Sequence, residues 1–213
     1  AAFDAMPSLY IADGHHRSAA ASRVAARRGP NGLSGSAAAF LAVIFPAHAM
    51  RIMDYNRVVR DLNGLSPAEL LGRIGERFTV TPAASRVEPE KPGVFGMYLA
   101  GRWYRLEILP ALVPAADPVR RLDVSLLSDQ LLEPLLGIGD LRRDQRIDFV
   151  GGIRGLAELE RRVDRGEMAV AFALRATQMG DLMAVADSGA VMPPKSTWFE
   201  PKLADGLVSH ILD

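Results

Sequence analysis

Five consecutive residues near the start of the sequence form its densest set of groups that could bind phosphate: Asp13, Gly14, His15, His16 and Arg17. Two of the four histidines of the chain are adjacent here. Imidazole and guanidinium groups donate hydrogen bonds to phosphate, and arginine can hold two of its oxygens at once. Gly14 permits either a positive φ or the close approach of a ligand to the backbone. Asp13 could orient a histidine or hold a metal ion attached to the phosphate.

The segments around this turn would place it at a helix start. We predict a short buried strand over residues 8–12 and an alanine-rich helix over residues 17–28. The first N–H groups of a helix have no partner inside it, and its dipole makes that end positive, so phosphate binds there readily. Two alternatives stay open. Asp13 could simply cap the helix, or His15 and His16 could ligate a metal ion, although adjacent residues point in different directions.

A second candidate segment lies near the end of the sequence. Residues 192–202 combine prolines and aromatic residues with Lys195, Ser196 and Thr197. Loops carry function more often than helices and strands do. Lys195 is therefore a candidate partner for a phosphate or carboxylate, with the two hydroxyl groups as further donors. The alternative is a tail whose aromatic residues cover the core.

A third and weaker candidate is the pair Asn56 and Arg57, which could bind polar groups of a substrate. An exposed arginine beside a strand end is more often only solvated. No Gly-x-Ser-x-Gly turn is present to suggest Ser-His-Asp catalysis.

Composition excludes several classes of protein. Basic and acidic residues both number 25, so the formal net charge is zero, which disfavours a nucleic-acid partner. The chain has no cysteine, which excludes disulfides, cysteine-based zinc sites and a thiol nucleophile. The longest apolar run, residues 37–50, is interrupted and too short to cross a membrane. We therefore expect a cytoplasmic protein without a membrane partner.

The remaining pattern positions these candidates in an α/β protein. Residues 37–45 are predicted to form a central strand buried on both faces, and Ser66 is predicted to cap a helix that ends near residue 78. Further expected elements are a hairpin (94–99 and 103–109), helices (124–136, 153–165 and 177–187) and strands (50–59, alternatively a helix, then 146–150, 168–174 and 207–212). This order predicts a mixed sheet with flanking helices and an inserted β-hairpin, with α+β as the alternative.

Several motifs together resemble the DUF1015 family: ADGHHR, FPAH followed by YNRVV, GMYLAGRWYRL, LDVSLLSDQLLEPLLGI, RIDFVGG and MPPKSTWFEPKL. Members of that family are typically longer, so the resemblance implies that residues 1–213 are the C-terminal portion of a longer protein. Within this portion, a subdivision is expected near residues 83–92 or 111–118.

The DGHHR turn also resembles the nucleotide-binding turn of the ParB/sulfiredoxin superfamily, which includes kinases of free L-serine. The resemblance implies an ATP- or ADP-dependent kinase of serine metabolism that makes O-phosphoserine, with Mg²⁺ bridging the phosphates. His15, His16 and Arg17 would stabilise the transferred phosphoryl group, and Asp13 would help to place the metal. The base would lie upstream, where Asp4 is the only acid and its context does not match. A non-catalytic nucleotide-binding regulator is the alternative, and a DNA-associated ParB relative is disfavoured by the zero net charge.

The resemblance also has one departure within the turn. Many family members have tyrosine after the arginine, where this chain has Ser18. An aromatic contact with the nucleotide at that position is therefore not expected.

Overall fold

The computed structural model describes residues 3–29, 34–202, 204 and 206–211. The chain divides into two units, Ala1–Arg51 with Phe199–Asp213 and Ile52–Trp198. Both expected subdivision segments, 83–92 and 111–118, fall inside the second unit.

The first unit is built around α1 (His15–Arg28), whose alanines favour helix. Gly29 ends the helix at φ 68°, and its N–H donates to the Ala25 carbonyl at 3.1 Å. The predicted stop continues into residues 30–32, which lie outside the described residues. Short 3₁₀ turns cover Phe3–Ala5, Gly35–Ala38 and Ala47–Ala49.

Three strand predictions around this unit are wrong. Of the strands predicted over residues 8–12, 37–45 and 207–212, no described residue is in a strand. Residues 37–38 lie in the 3₁₀ turn Gly35–Ala38, the other described residues are irregular, and residue 212 lies outside the described residues. Their apolar side chains are exposed, with Ile11 and Phe40 both 57% accessible. An apolar run favours burial, but a strand also needs a neighbour for its backbone hydrogen bonds. In the described part of this unit no segment provides one.

The second unit contains a six-stranded sheet in the order β3-β5-β4-β7-β2-β6. The strands of the chain are β1 (Arg51–Met53), β2 (Tyr55–Val59), β3 (Phe78–Ala83), β4 (Val94–Leu99), β5 (Arg102–Ile108), β6 (Ile147–Gly151), β7 (Val170–Ala173) and β8 (Trp198–Glu200). All six residues of β4 are buried, as expected for a strand in the middle of the sheet.

The α/β fold and the inserted hairpin are confirmed. Ala100 and Gly101 join β4 to β5 with positive φ at both positions, which suits a two-residue turn. The sheet is antiparallel throughout, so the expectation of a mixed sheet is wrong. The helix between β6 and β7 does connect two strands of the same direction, but β2 lies antiparallel between them. Sequence alternation alone does not reveal such an intervening strand.

Helices cover both faces of this sheet. They are α2 (Pro67–Ile74), α3 (Asp123–Leu127), α4 (Glu133–Leu136), α5 (Leu156–Asp164) and α6 (Met179–Asp187), with a π-helical turn over Ser128–Leu132. The predicted cap is confirmed, since the Glu69 N–H donates to the Ser66 hydroxyl at 3.3 Å and the Ser66 N–H to the Glu69 carboxylate at 2.8 Å. No described helix is long and apolar enough to span a bilayer.

The Asp123 carboxylate is largely buried in the second unit. Asp123 Oδ1 accepts the Gly93 N–H at 2.7 Å. Burial raises the pKa of Asp123 to about 6, an effect increased by Asp181 and opposed by the Gly93 hydrogen bond and Arg175. The folded state therefore binds this proton more tightly than an unfolded chain, in which the pKa is 3.8.

This difference predicts the pH dependence of stability. Because the pKa of Asp123 is raised by folding, its contribution to the free energy of unfolding is present below pH 4 and is lost as the pH rises through 6. Asp123→Asn keeps an oxygen for Gly93 and removes the proton, so the variant should gain about 2–3 kcal/mol relative to wild type between pH 4 and pH 7. Urea unfolding at both pH values measures this change. An equal difference between the two proteins at both pH values would contradict it.

Candidate functional site

The turn before α1 leaves the start of the helix open. Gly14 has φ 84° and ψ 17°, and no side chain caps the helix. The first backbone bond of the helix runs from the Ser18 N–H to the Gly14 carbonyl at 3.0 Å. The N–H groups of residues 15–17 therefore have no partner within the helix, as the anion-site prediction requires.

Asp13 does not cap α1, which removes one of the alternative interpretations. Its Oδ1 accepts the N–H of Gly14 at 2.7 Å, one residue before the helix begins. Its Oδ2 accepts a hydrogen bond from Lys202 Nζ at 3.2 Å. Partial burial alone would raise the pKa of Asp13, but the hydrogen bonds from Lys202 and Gly14, together with the charges of Lys202 and Arg17, leave it below its ordinary value. The carboxylate is therefore ionised at neutral pH.

Three cationic or polar side chains gather at the same helix end. The Arg17 side chain folds back over the turn, since a Cβ placed on Gly14 would lie 3.1 Å from Arg17 Nη2. The rings of His15 and His16 are adjacent, with centroids 4.4 Å apart at 50°. All three side chains are exposed and open to a ligand. Their roles in binding and catalysis stay predictions.

The alternative in which His15 and His16 ligate a metal ion gains no third ligand from the described residues. Among the described residues, no group of three or more His, Cys, Asp or Glu side chains could hold a metal ion. Asp13 contributes a single carboxylate to this turn, and that carboxylate already accepts a hydrogen bond from Lys202.

Hydrogen bonds within the second unit fix residues 193–197, here called the Lys195 loop. Lys195 itself is exposed and has φ 57°, a backbone conformation that residues other than glycine rarely adopt. The Ser196 hydroxyl donates to the Pro193 carbonyl at 2.7 Å, and the Ser196 carbonyl accepts the Thr177 hydroxyl at 3.0 Å. The Ser196 hydroxyl is thus engaged within its own loop, while Thr197 is half-buried. Binding of a nucleotide by these residues stays a prediction.

Asn56 and Arg57 are both fully buried, so the interpretation of Arg57 as an exposed, solvated arginine is wrong. They alternate along β2 and therefore point to opposite faces of the sheet. Asn56 Oδ1 accepts the Leu174 N–H at 2.9 Å, and Asn56 Nδ2 donates to Asp54 at 2.6 Å. Both ends of this amide have protein partners. Binding of substrate by Asn56 and Arg57 stays a prediction.

Arg57 lies under the Lys195 loop. Its Nη2 donates to the Lys195 carbonyl at 2.8 Å and its Nη1 to the Tyr55 carbonyl. The rings of Tyr55 and Phe149, whose centroids are 5.6 Å apart, lie beside both Arg57 and Lys195. Burial lowers the pKa of Arg57 to about 10, which leaves the guanidinium charged at neutral pH.

Sequence reasoning missed three members of these sites. The aromatic pair Tyr55 and Phe149 lies on neighbouring strands, and a correct strand order would have been needed to bring the two rings together. Lys202, the partner of Asp13, is 189 residues away along the chain. Its place in the motif MPPKSTWFEPKL was the signal that could have identified it.

The chain belongs to a family described as "Protein of unknown function (DUF1015)", whose family model matches residues 1–125, more than half of the chain. The motifs RIDFVGG and MPPKSTWFEPKL lie beyond that match. No curated protein matches the sequence.

Solved structures show a similar fold. "Free serine kinase in complex with AMP" matches with a TM-score of 0.50 and 14% identity, over 89% of this chain and 66% of that chain. A free serine kinase mutant in complex with ADP gives 0.46 and 15%, with the same coverage. A conserved hypothetical protein from Pyrococcus furiosus gives 0.48 and 15%, over 89% of this chain and 68% of its own. The first match shows a shared fold, and this chain spans less than two thirds of that kinase.

The Asp13–Lys202 contact generates a testable pKa change. In a Lys202→Met variant the pKa of Asp13 should rise, because the opposing effect of partial burial remains while a hydrogen bond and a positive charge are lost. Carboxyl carbon chemical shifts followed through an acid titration measure this pKa. Lys91→Met, which removes a lysine paired with Glu107 instead, is the control. An Asp13 titration that is the same in all three proteins would disprove the assignment.

Proposed function

We propose that this protein is a nucleotide-dependent small-molecule kinase that phosphorylates free L-serine to O-phosphoserine. The observation that carries the proposal is the uncapped start of α1, where backbone N–H groups and the side chains of His15, His16 and Arg17 lie at one helix end. The likeness of the fold to a free serine kinase in complex with AMP supports a nucleotide as the ligand. Serine as the acceptor rests on that likeness and on the resemblance of the DGHHR turn.

Phosphoryl transfer depends on positioning and on neutralising charge rather than on covalent chemistry by the protein. In our proposal, the N–H groups of residues 15–17 and the Gly14 turn hold the nucleotide phosphates. Arg17, with five donors in a fixed planar arrangement, binds oxygens of the transferred group, and the imidazoles of His15 and His16 add donors. These groups stabilise the charge that develops on the phosphoryl oxygens in the transition state.

Asp13 is the candidate ligand for Mg²⁺. In nucleotide sites this ion is usually held by one or two carboxylates together with the substrate phosphates, and the ionised Asp13 beside the turn fits that role. The Lys202 ammonium occupies the same carboxylate and would have to release it. When bound, the ion would neutralise phosphate charge.

Lys195, Ser196 and Thr197 are proposed as further nucleotide contacts, and Asn56 and Arg57 as contacts for the amino acid. The exposed Lys195 ammonium is the most accessible of these groups. Asn56 and Arg57 are both fully buried, and Asp54 and Leu174 already engage the Asn56 amide.

A non-catalytic nucleotide-binding regulator is the second candidate. It is favoured by the same open helix start, which binds a phosphate whether or not transfer follows. The two candidates differ only in the formation of product.

The proposed reaction can be measured directly. Full-length protein incubated with L-serine, Mg²⁺ and either ATP or ADP should form O-phosphoserine, detected by mass spectrometry. D-serine and L-threonine in parallel reactions test the acceptor. Nucleotide binding without any phosphorylated amino acid would overturn the kinase in favour of the regulator.

Arg17→Ala should weaken nucleotide binding by about 1.5–3 kcal/mol, the scale of a hydrogen bond to a charged group. Arg28→Ala removes an exposed arginine from the opposite end of the same helix and should leave the affinity unchanged. Isothermal titration calorimetry with ADP compares the three proteins. If Arg17→Ala and Arg28→Ala both bind like wild type, Arg17 is not part of the site.

A further inference from the structure

The guanidinium of Arg57 is a buried charge without an acidic partner. The residue is 0% exposed, and its two terminal nitrogens donate to backbone carbonyls of Tyr55 and Lys195. Within the described part of the chain, Nε has no hydrogen-bond partner, and no carboxylate forms an ion pair with the group. Removing a cation from water without a counter-charge is unfavourable.

Like Arg57, Lys195 has no acidic partner among the described residues, whereas the other two lysines of the chain each have one. Lys91 Nζ lies 2.5 Å from Glu107, and Lys202 Nζ lies 3.2 Å from Asp13. Lys195 forms no ion pair with any residue that the structure describes. It is nevertheless held in place, because Arg57 binds its carbonyl and its φ is fixed at 57°. Non-glycine residues in such a conformation cluster at functional sites.

The two cations lie near the same two aromatic rings. Arg57 Cζ lies 5.1 Å from the Phe149 ring centroid and 5.8 Å from that of Tyr55, while Lys195 Nζ lies 5.8 Å and 6.0 Å from the same centroids. Cation–π attraction to the rings stabilises each cation. Both groups are positively charged, so an anion near them would be stabilised.

The charges of Lys195 and Arg57 and the exposure of Lys195 indicate which kind of ligand the site would bind. Two positive charges suit an oxyanion with two negative charges better than a carboxylate with one. Lys195 is exposed and can touch such a ligand from solvent, whereas Arg57 lies beneath and acts through its charge and its hold on the Lys195 carbonyl.

We propose that Lys195 and Arg57 form a phosphoryl-binding site beside the rings of Tyr55 and Phe149. Lys195 is the direct ligand and Arg57 is the positioning residue. Arg57, Lys195, Tyr55 and Phe149 all belong to the second unit. The inference rests on these contacts and on the proposed role of Lys195 as a phosphate contact, and it requires no phosphoryl transfer. A nucleotide phosphate and the phosphate of a phosphorylated product would present the same chemistry.

Inorganic phosphate at pH 8, where it is mainly a dianion, tests the site. Calorimetry is carried out in an Arg17→Ala background, so that binding at the start of α1 contributes less. Adding Lys195→Met should weaken the remaining phosphate binding about tenfold or more. Lys195→Arg keeps the charge and should retain binding, and Lys91→Met is the matched control with no expected effect. Circular dichroism confirms that each variant is folded.

A second arm compares ligands. Acetate, a monoanion, should compete weakly, whereas O-phosphoserine and AMP should both displace phosphate, and their relative strength identifies the natural source of the group. Unchanged phosphate binding in Lys195→Met, the absence of binding in the Arg17→Ala background, or equal competition by acetate would each overturn the proposal. None of these results bears on whether Arg17 binds nucleotide.

Discussion

The larger unit depends on satisfying two buried polar side chains in β2. Asn56 and Arg57 lie in a strand bordered on both sides by hydrogen-bonded neighbours, and each is fully buried. A buried polar group without a partner costs about 1–3 kcal/mol, so the sheet is stable only if nearby segments supply partners. The Leu174 N–H and the Lys195 carbonyl do so from segments 118 and 138 residues away. Hydrogen bonding therefore fixes the end of β7 and the Lys195 loop against β2, in addition to apolar packing.

The two candidate anion sites achieve positive potential by different physical means. At the start of α1 the donors are exposed, so their attraction for phosphate is screened by salt and depends on several simultaneous hydrogen bonds. Beneath the Lys195 loop the charge of Arg57 lies inside the protein, where screening is weaker and the same charge acts more strongly. The first arrangement suits a ligand with several phosphate oxygens in contact with backbone, and the second suits one compact, doubly charged group.

Local signals in the sequence predicted local structure well. The cap at Ser66, the hairpin around Gly101 and most helices follow from patterns spanning a few residues, and they are present. Predictions that needed a distant partner failed. The apolar run predicted as a strand over residues 37–45 has no neighbouring strand in the described part of its unit. The expected mixed sheet is antiparallel, with β2 between β6 and β7. At the candidate sites the residue types were foreseeable, but the burial of Arg57 and the pairing of Asp13 with Lys202 are set by contacts between remote segments.

Asn56 and Arg57 differ in how far their hydrogen bonds explain their burial. The amide of Asn56 has a partner for its oxygen and one for its nitrogen, so its hydrogen bonding explains its presence. Arg57 leaves Nε unpaired and has no counter-charge among the described residues. An apolar side chain of similar volume would fill the same space without removing a charge from water. Its hydrogen bonds to the Tyr55 and Lys195 carbonyls account for the two terminal nitrogens but not for the buried positive charge. The property left to explain is its charge, and a bound anion uses that property directly.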